Sequence, residues 1–316
     1  MTRIAVFPGQ GSQAVGMGRA LFAAVPAARE VFEAVDEALG EKLSSLIFDG
    51  PGEALTLTRN AQPALMATSL AAVRAFEASM GKPLGACVDG AAGHSLGEYS
   101  ALAAMGALDV GEAARLLRLR GEAMQDAVPA GAGAMAAVLG LDPATAEAVA
   151  AAAEAETGLV CAVANDNAEG QAVLSGNAAA VERACAIAKD RGAKRAMLLQ
   201  VSAPFHCRLM QPAADRLASA LAQTTFRAPQ QPVIANVTVE PVSDAAALPD
   251  LLTRQVTARV RWRETMEHFA ADGCTMIAEF GAGKVLTGLA KRAVPTATLF
   301  NVQGPVDLDA LVAALD

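Results

Sequence analysis

The chain has 316 residues, with 25 lysines and arginines against 33 aspartates and glutamates, so its formal net charge is −8. This acidic balance argues against a nucleic-acid-binding protein, which normally carries a basic surplus. Hydrophobic residues make up 53% of the sequence and charged residues only 18%, which excludes a disordered chain and supplies apolar surface for a large core.

The sequence gives no sign of export or of a membrane span. The longest charge-free runs, 4–18 and 127–141, contain glycine and proline and are shorter than the ~20 residues that cross a bilayer. The N-terminus lacks the apolar core and cleavage site of a secretory signal. The five cysteines have no CxxC spacing, which argues against a disulfide framework and a zinc site. We therefore expect a cytoplasmic protein with reduced thiols and no metal.

The N-terminal part alternates strand, turn and helix in the manner of an α/β protein. Residues 4–7 form an apolar run that ends in a Pro-Gly turn and precedes helical spacing. A buried helix rich in alanine and leucine is predicted over 61–80. A second unit follows, with a strand over 88–92, the turn Gly93-His94-Ser95-Leu96-Gly97 and a helix over 98–105.

Residues 130–200 follow a different order. Strands are predicted over 134–139, 159–165, 171–175 and 195–201, and helices over 143–156 and 178–190. This β-α-β-β-α-β order is the split motif of a ferredoxin-like unit. We predict an α/β fold in which 1–129 and 201–316 form a large discontinuous domain with a parallel sheet, and 130–200 form an inserted small subdomain. A ligand is expected in the cleft between them.

The turn after the second predicted strand has the G-x-S-x-G form, which exposes a serine hydroxyl on a sharp strand-to-helix connection. Ser95 is therefore a candidate nucleophile, although an ordinary glycine-rich turn has the same pattern. A nucleophilic serine needs a base, and the chain has three histidines. His94 lies in the turn itself, and His268 falls away from the apolar face of its helix. His206 follows the end of a predicted strand, where catalytic groups collect, and is the favoured base.

Arg120 is a third candidate because of its place in a predicted helix over 110–124. It lies on the arc formed by the apolar residues, whereas Arg115 and Arg118 lie outside that arc. An interior guanidinium is costly unless it is paired, and no acidic residue shares the arc. It can pair with a distant aspartate or glutamate, or with a substrate carboxylate, which suits its planar fork of donors.

Two glycine-rich segments suggest nucleotide binding only weakly. Gly9-Gln10-Gly11 follows the first strand, but Ala14 stands where a dinucleotide loop has its third glycine. Gly281-Ala282-Gly283-Lys284 is followed by Val285, where a P-loop needs serine or threonine. We discount nucleotide hydrolysis and leave NAD binding as a weak alternative.

Five segments, in order along nearly the whole chain, closely resemble the malonyl-CoA:acyl carrier protein transacylase family. They are Phe7-Pro8-Gly9-Gln10-Gly11-Ser12-Gln13, Gly93-His94-Ser95-Leu96-Gly97-Glu98-Tyr99, Leu119-Arg120-Gly121, Ala203-Pro204-Phe205-His206 and Glu279-Phe280-Gly281-Ala282-Gly283-Lys284-Val285-Leu286. The resemblance implies a hydrolase-like large domain with an inserted ferredoxin-like unit, which agrees with the predicted layout. It also implies transfer of a malonyl group from malonyl-CoA to the phosphopantetheine thiol of an acyl carrier protein, without a cofactor.

The resemblance also implies a role for each site residue. Ser95 would form a malonyl ester by ping-pong catalysis, and His206 would move its proton. The main-chain N–H groups of Gln10 and Leu96 would form the oxyanion hole. The Gln255 carbonyl would orient His206 in place of an acid, and Arg120 would bind the malonyl carboxylate. By further resemblance, Phe205 would be a steric floor, although a core aromatic is equally expected there, and Asn165 would lie near the thioester arm.

The family's substrates, malonyl-CoA and an acidic carrier protein, are anionic, so docking would need a local basic patch. Candidates are Lys189, Arg191, Lys194, Arg195, Lys284, Lys291 and Arg292. Neither nucleic acid nor a membrane is an expected partner. The resemblance points to fatty acid biosynthesis, but a polyketide or malonate-decarboxylating system stays open. A serine esterase or thioesterase with the same turn is the main alternative, and a non-catalytic dinucleotide-binding protein is a third.

Overall fold

A computed structural model describes residues 2–201 and 203–315, so Met1, Ser202 and Asp316 of the predicted large domain lie outside the described residues. Short 3₁₀ helices occupy Leu84–Ala86, Arg208–Met210 and Ala245–Ala247. The strands and α-helices are, in chain order, β1 (Thr2–Phe7), α1 (Arg19–Ala24), α2 (Pro26–Leu39), α3 (Leu43–Asp49), α4 (Gly52–Thr56), α5 (Thr58–Met80), β2 (Gly90–Gly93), α6 (Gly97–Ala104), α7 (Val110–Asp126), β3 (Gly133–Leu139), α8 (Pro143–Thr157), β4 (Cys161–Ala168), β5 (Gln171–Asn177), α9 (Ala178–Asp190), β6 (Arg195–Leu198), α10 (Gln211–Leu221), β7 (Val233–Ile234), β8 (Pro241–Val242), α11 (Leu248–Gln255), α12 (Trp262–Ala271), β9 (Cys274–Phe280), α13 (Val285–Ala293), β10 (Thr298–Val302) and α14 (Pro305–Leu315).

The larger sheet has the strand order β10-β9-β1-β2-β7-β8. Its strands pair in parallel except for the edge pair β7 and β8, which is antiparallel. Successive residues of β1 enter different cores: Ala5 and Phe7 pack in one cluster with α5, whereas Ile4 and Val6 pack in another with α12 and α13. Both faces of the sheet are therefore covered, which explains the continuous apolar run in β1.

Helix α5 crosses the larger core and is buried along most of its length. Its alanine-rich sequence is apolar on nearly every side, as expected of a helix packed all round. No helix among the described residues is both long enough and apolar enough to cross a bilayer.

The second sheet is antiparallel and has the order β4-β5-β3-β6, with α8 and α9 packed against it. If β3, β4, β5 and β6 are numbered one to four, the order across the sheet is four, one, three, two. This is the ferredoxin-like arrangement. The predicted fold class, an α/β protein with a parallel sheet and an inserted ferredoxin-like unit, is confirmed.

The two parts are joined by more than the chain itself. Asp166 N donates to the Val260 carbonyl at 3.0 Å, and Val260 N donates to the Ala164 carbonyl at 2.9 Å. The predicted boundaries of a 130–200 subdomain stay a prediction. One predicted strand is too long: 195–201 ends at Leu198, because only residues 195–198 pair with β3 before the chain turns toward the cavity described below.

Two glycines, Gly93 and Gly97, allow the turn between β2 and α6 to pack closely against neighbouring main-chain atoms. A Cβ on Gly93 would lie 1.9 Å from the Gly97 carbonyl carbon, and a Cβ on Gly97 would lie 2.2 Å from the Phe7 carbonyl oxygen. Both neighbours are main-chain atoms that cannot move aside. The G-x-S-x-G glycines are therefore required by the close approach of α6 to β1.

We expect Gly97→Ala to lower the free energy of unfolding by roughly 3 kcal/mol, because the added methyl group overlaps the β1 backbone. Gly288→Ala is the control: this position lies in α13 and has no atom within 4 Å of an added Cβ. That change should raise the free energy of unfolding by up to ~1 kcal/mol through helix propensity. Urea unfolding measures both values, and equal small effects would contradict the packing described here.

Candidate active site

A cavity of about 330 Å³ lies between the larger sheet and the small one. It opens at the carboxyl ends of β1 and β2, where open α/β sheets bind their ligands. Small-sheet residues, among them Met135 and Val173, form its opposite wall. The lining includes these predicted site residues: Gln10, Ser95, Leu96, Arg120, Asn165, Phe205 and His206. Gln255 is fully buried directly behind them.

Ser95 and His206 are in hydrogen-bond contact inside the cavity. The distance from Ser95 Oγ to His206 Nε2 is 2.7 Å. On its other side, His206 Nδ1 lies 2.9 Å from the Gln255 main-chain oxygen. Since a carbonyl can only accept, Nδ1 carries the proton and Nε2 is left to accept from the serine hydroxyl. The pair has the geometry of a nucleophile and its base.

Both residues have left-handed backbones, with φ of 54° at Ser95 and 57° at His206. Such values are uncommon for residues with a side chain and are kept only where the surrounding structure enforces them. At Ser95 the enforcing contacts come from the Gly93 and Gly97 packing already described. The strained turn directs the hydroxyl away from the sheet and into the cavity.

The pKa of His206 falls to about 3, first because the imidazole is buried and second because the Arg120 cation lies nearby. Both effects disfavour the imidazolium. His206 is therefore neutral at physiological pH, which is the state that can accept a proton from Ser95.

Arg120 is buried on the interior face of α7, with 1% of its surface exposed. It donates to Gln62 Oε1 at 2.8 Å, to Gln255 Oε1 at 2.8 Å and to Ser95 Oγ at 3.0 Å. Its guanidinium also lies 5.7 Å from the centre of the Tyr99 ring. Among the described residues it forms no ion pair with a carboxylate. The cation is held by neutral groups and faces the cavity with its charge uncompensated by a paired acid.

Gln255 connects the three groups around the serine. Its main-chain oxygen meets His206, and its side-chain oxygen accepts from Arg120. Its side-chain Nε2 donates to the Ser95 main-chain oxygen at 3.0 Å and to Glu98 Oε2 at 2.7 Å. A single residue at the end of α11 thus contacts the nucleophile, the base and the cation.

The main-chain N–H groups of Gln10 and Leu96 lie in loops that approach each other closely. Gly9 permits this, because a Cβ there would lie 2.8 Å from the His94 main-chain oxygen. Neither N–H has an acceptor among the residues that the structure describes. Unpaired donors beside a nucleophile can stabilise an oxyanion.

Asn165 and Phe205 are buried side chains at the edge of the cavity. Asn165 lies on β4 and also forms a parallel bridge with Val260, which ties the small sheet to the loop before α12. His268 lies outside the cavity: its Nε2 is 3.3 Å from Asp272 Oδ2 and its side chain is 31% exposed. His94 lines the cavity, where its Nε2 is 2.9 Å from Asn167 Oδ1.

Four polar residues of the site were missed by the sequence analysis as functional candidates: Gln62, Glu98, Asn167 and Asn236. Gln62 lies within the apolar helix α5 and Glu98 within α6, whose residues are all buried. A polar residue inside an apolar helix was the available signal, because such a group needs an internal partner. Asn167 and Asn236 follow no pattern that distinguishes them from ordinary loop or strand asparagines.

We expect the imidazole nitrogens of His206 to keep their neutral NMR pattern from about pH 8 to about pH 5, because the pKa lies far below its ordinary value. The His206→Asn variant identifies the resonances. By linkage, the stability that His206 contributes is present above about pH 6.5 and is lost as the pH falls toward 3, since the unfolded state binds the proton more tightly. A protonation midpoint near pH 6.5 in the folded protein would contradict the buried, cation-adjacent environment.

Comparisons with known proteins agree with this geometry. The sequence matches the acyl transferase domain family over residues 4–302. The malonyl CoA-acyl carrier protein transacylase of Escherichia coli strain K12 is 47% identical over 317 residues, which cover 100% of this chain and 100% of that protein.

Solved structures give the same result. The acyl-carrier-protein-S-malonyltransferase of Bartonella henselae is 51% identical, with a TM-score of 0.96 and coverage of 100% of this chain and 99% of that one. A malonyl-transacylase solved in complex with its type II PKS acyl-carrier protein is 42% identical, with a TM-score of 0.95 and coverage of 99% and 100%. The resemblance predicted from the sequence motifs is confirmed: the chain is an acyltransferase and belongs to the malonyl-CoA:acyl carrier protein transacylase family.

Proposed function

We propose that this acyltransferase moves a malonyl group from malonyl-CoA to the phosphopantetheine thiol of an acyl carrier protein, through a malonyl ester on Ser95. The observation that carries the proposal is the buried Arg120, which has no paired acid within residues 2–201 and 203–315 and donates to the same Ser95 Oγ that meets His206. A cation fixed beside a nucleophile favours an acyl group that ends in a carboxylate. The names of the relatives specify the same substrates.

In the first half-reaction, Ser95 Oγ attacks the thioester carbonyl and His206 Nε2 takes the hydroxyl proton. The N–H groups of Gln10 and Leu96 would stabilise the oxyanion of the tetrahedral intermediate. When that intermediate collapses, the C–S bond breaks, the proton on His206 passes to the CoA sulfur, and malonyl-Ser95 remains. His206 is then neutral again, which is the state that its burial and the nearby Arg120 cation both favour.

The second half-reaction reverses the roles. The carrier's phosphopantetheine thiol gives its proton to His206, and its sulfur attacks the malonyl ester. Collapse breaks the bond to Ser95 Oγ, which regains the proton. Both halves use one site, so the two thiols bind in turn and kinetics are ping-pong.

The Gln255 main-chain carbonyl replaces the acid that usually orients a catalytic histidine. A carbonyl fixes the Nδ1–H tautomer as a carboxylate does, but it adds no negative charge. A carboxylate there would lie beside Arg120 and compete with the malonate for the guanidinium. A neutral orienting group is therefore suited to a site that must bind an anion.

Carrier binding is proposed to use exposed basic residues of the protein. The candidates from the sequence are exposed on both parts of the protein: Lys189, Arg191, Lys194, Arg195, Lys284, Lys291 and Arg292. Arg195 lies on β6, whose chain continues into Leu199, Gln200 and Val201 of the cavity wall. An acidic carrier protein held near Arg195 would bring its thiol toward this wall of the cavity.

Mixing the protein with malonyl-CoA should give an adduct with the mass of one malonyl group, and peptide mapping should assign it to Ser95. The adduct should disappear when the carrier protein is added, and Ser95→Ala should form none, because it lacks the attacking oxygen. Intact-mass spectrometry measures each step. Rapid release of free malonate without carrier would indicate a hydrolase and contradict transfer, since water would then be the preferred acceptor.

Arg120→Ala should lower kcat/KM for malonyl-CoA by on the order of 10² or more, because a buried charge pair with the substrate is lost. Arg115→Ala is the matched control on the same helix, since Arg115 is half-exposed and pairs with Glu112 at the surface. The control should stay within about twofold of the parent, a surface pair being worth little. Unchanged malonyl kinetics in Arg120→Ala would remove this residue from the site.

A further inference from the structure

The backbone of Ser95 is held on both sides by side chains from distant parts of the chain. Ser95 N donates to Asn236 Oδ1 at 2.8 Å, and the Ser95 carbonyl accepts from Gln255 Nε2 at 3.0 Å. These two amides lie after β7 and at the end of α11. The strained φ of 54° is thus fixed by hydrogen bonds at the residue itself, in addition to the glycine packing.

Asn236 holds two points of the turn at once. Its Oδ1 accepts from Ser95 N, and its Nδ2 donates to the Gly93 carbonyl at 2.7 Å. Strands β2 and β7 pair in parallel up to Ala92 and Ile234. Beyond these residues the main chains of β2 and β7 no longer pair. The Asn236 side chain takes over there, with one acceptor and one donor for the main chain of the sharp turn. It is 1% exposed, so no water competes for these bonds.

Glu98 joins the two amide residues. Its Oε2 accepts from Gln255 Nε2 at 2.7 Å and from the Asn236 main-chain N at 3.1 Å. Glu98 is 3% exposed and lies in the first turn of α6, three residues after the nucleophile. One carboxylate oxygen of Glu98 thus connects Asn236, which bonds to Ser95, with Gln255, which contacts both His206 and Arg120.

We propose that Glu98 and Asn236 are positioning residues of this active site: Asn236 fixes the strained backbone of Ser95, and Glu98 locks Asn236 and Gln255 into the one arrangement in which nucleophile, base and guanidinium meet. The proposal rests on the proposed acyl transfer at Ser95. Neither side chain lines the cavity, so both act through their neighbours. Their loss should affect the chemical step more than substrate binding, because an error of about 1 Å in the reacting groups costs on the order of 10² in rate.

The test is a single-turnover measurement of malonyl-Ser95 formation over a range of malonyl-CoA concentrations, which separates the maximal rate from half-saturation. Asn236→Ala and Glu98→Ala should each lower the maximal rate by about 10²-fold and leave half-saturation within about threefold. Glu98→Gln should recover the rate to within about tenfold of the parent, because its amide oxygen can accept both bonds. Burial raises the pKa of Glu98 to about 7, so an uncharged group is a mild change there.

Asp36→Ala is the matched control for loss of a buried carboxylate. Asp36 is 6% exposed and accepts from Ser44 N and Ser44 Oγ, outside the cavity lining. Thermal unfolding gives the stability of every variant, and rates are taken per folded molecule. Asp36→Ala should lose stability and keep the parent acylation rate.

Three results would overturn the assignment: parent-like maximal rates in Asn236→Ala and Glu98→Ala, an equal slowing in Asp36→Ala, or no recovery in Glu98→Gln. A fluorophosphonate that labels activated serines keeps this test separate from the proposed substrate. If the parent forms no malonyl adduct yet labels at Ser95, the proposed function fails and the same variants still test the positioning role by their labelling rates. Glu98→Gln and Asn236→Ala carry the test if Glu98→Ala does not fold.

Discussion

The candidate active site is organised around a buried guanidinium that forms no ion pair with any carboxylate in the described part of the chain. The two terminal nitrogens of Arg120 donate to oxygens of Gln62, Gln255 and Ser95, and the guanidinium lies over the Tyr99 ring, all of them neutral groups. Burying a cation in this way is costly, and the cost decreases when an anion enters the cavity. The same charge helps to keep His206 unprotonated. One buried charge thus both favours an anion in the cavity and disfavours the imidazolium form of His206.

A second constraint comes from the turn that carries the nucleophile. The turn must be tight enough for α6 to lie against β1, which requires Gly93 and Gly97, and this tightness places Ser95 in a strained conformation. Strain persists only where neighbouring groups oppose its relief. In this protein the opposing groups are the side-chain amides of Asn236 and Gln255, so the geometry of Ser95 depends on two later segments of the chain.

The small sheet completes the cavity without supplying the reacting groups. Residues of β3, β4 and β5 form a wall opposite Ser95, and the Asn165 bridge to Val260 holds that wall against the large domain. Ser95, Arg120, His206 and Gln255 all lie outside the small sheet, which contributes wall residues to the cavity.

Sequence patterns alone were enough to predict the β-α-β-β-α-β order of the ferredoxin-like unit, the G-x-S-x-G turn and the inward placement of Arg120, because each of these depends on local periodicity or on a contiguous motif. They did not predict the helices α1 to α4 or the strands β7 to β10. It also indicated His206, since only three histidines had to be compared. Three features become visible only in the folded chain: the neutral groups that accept from Arg120, the main-chain carbonyl that contacts His206, and the hydrogen bonds of Glu98 and Asn236 behind the serine. Those contacts join residues from 25 to 157 positions apart, and no periodic signal encodes a pairing that arises only when separate elements pack together.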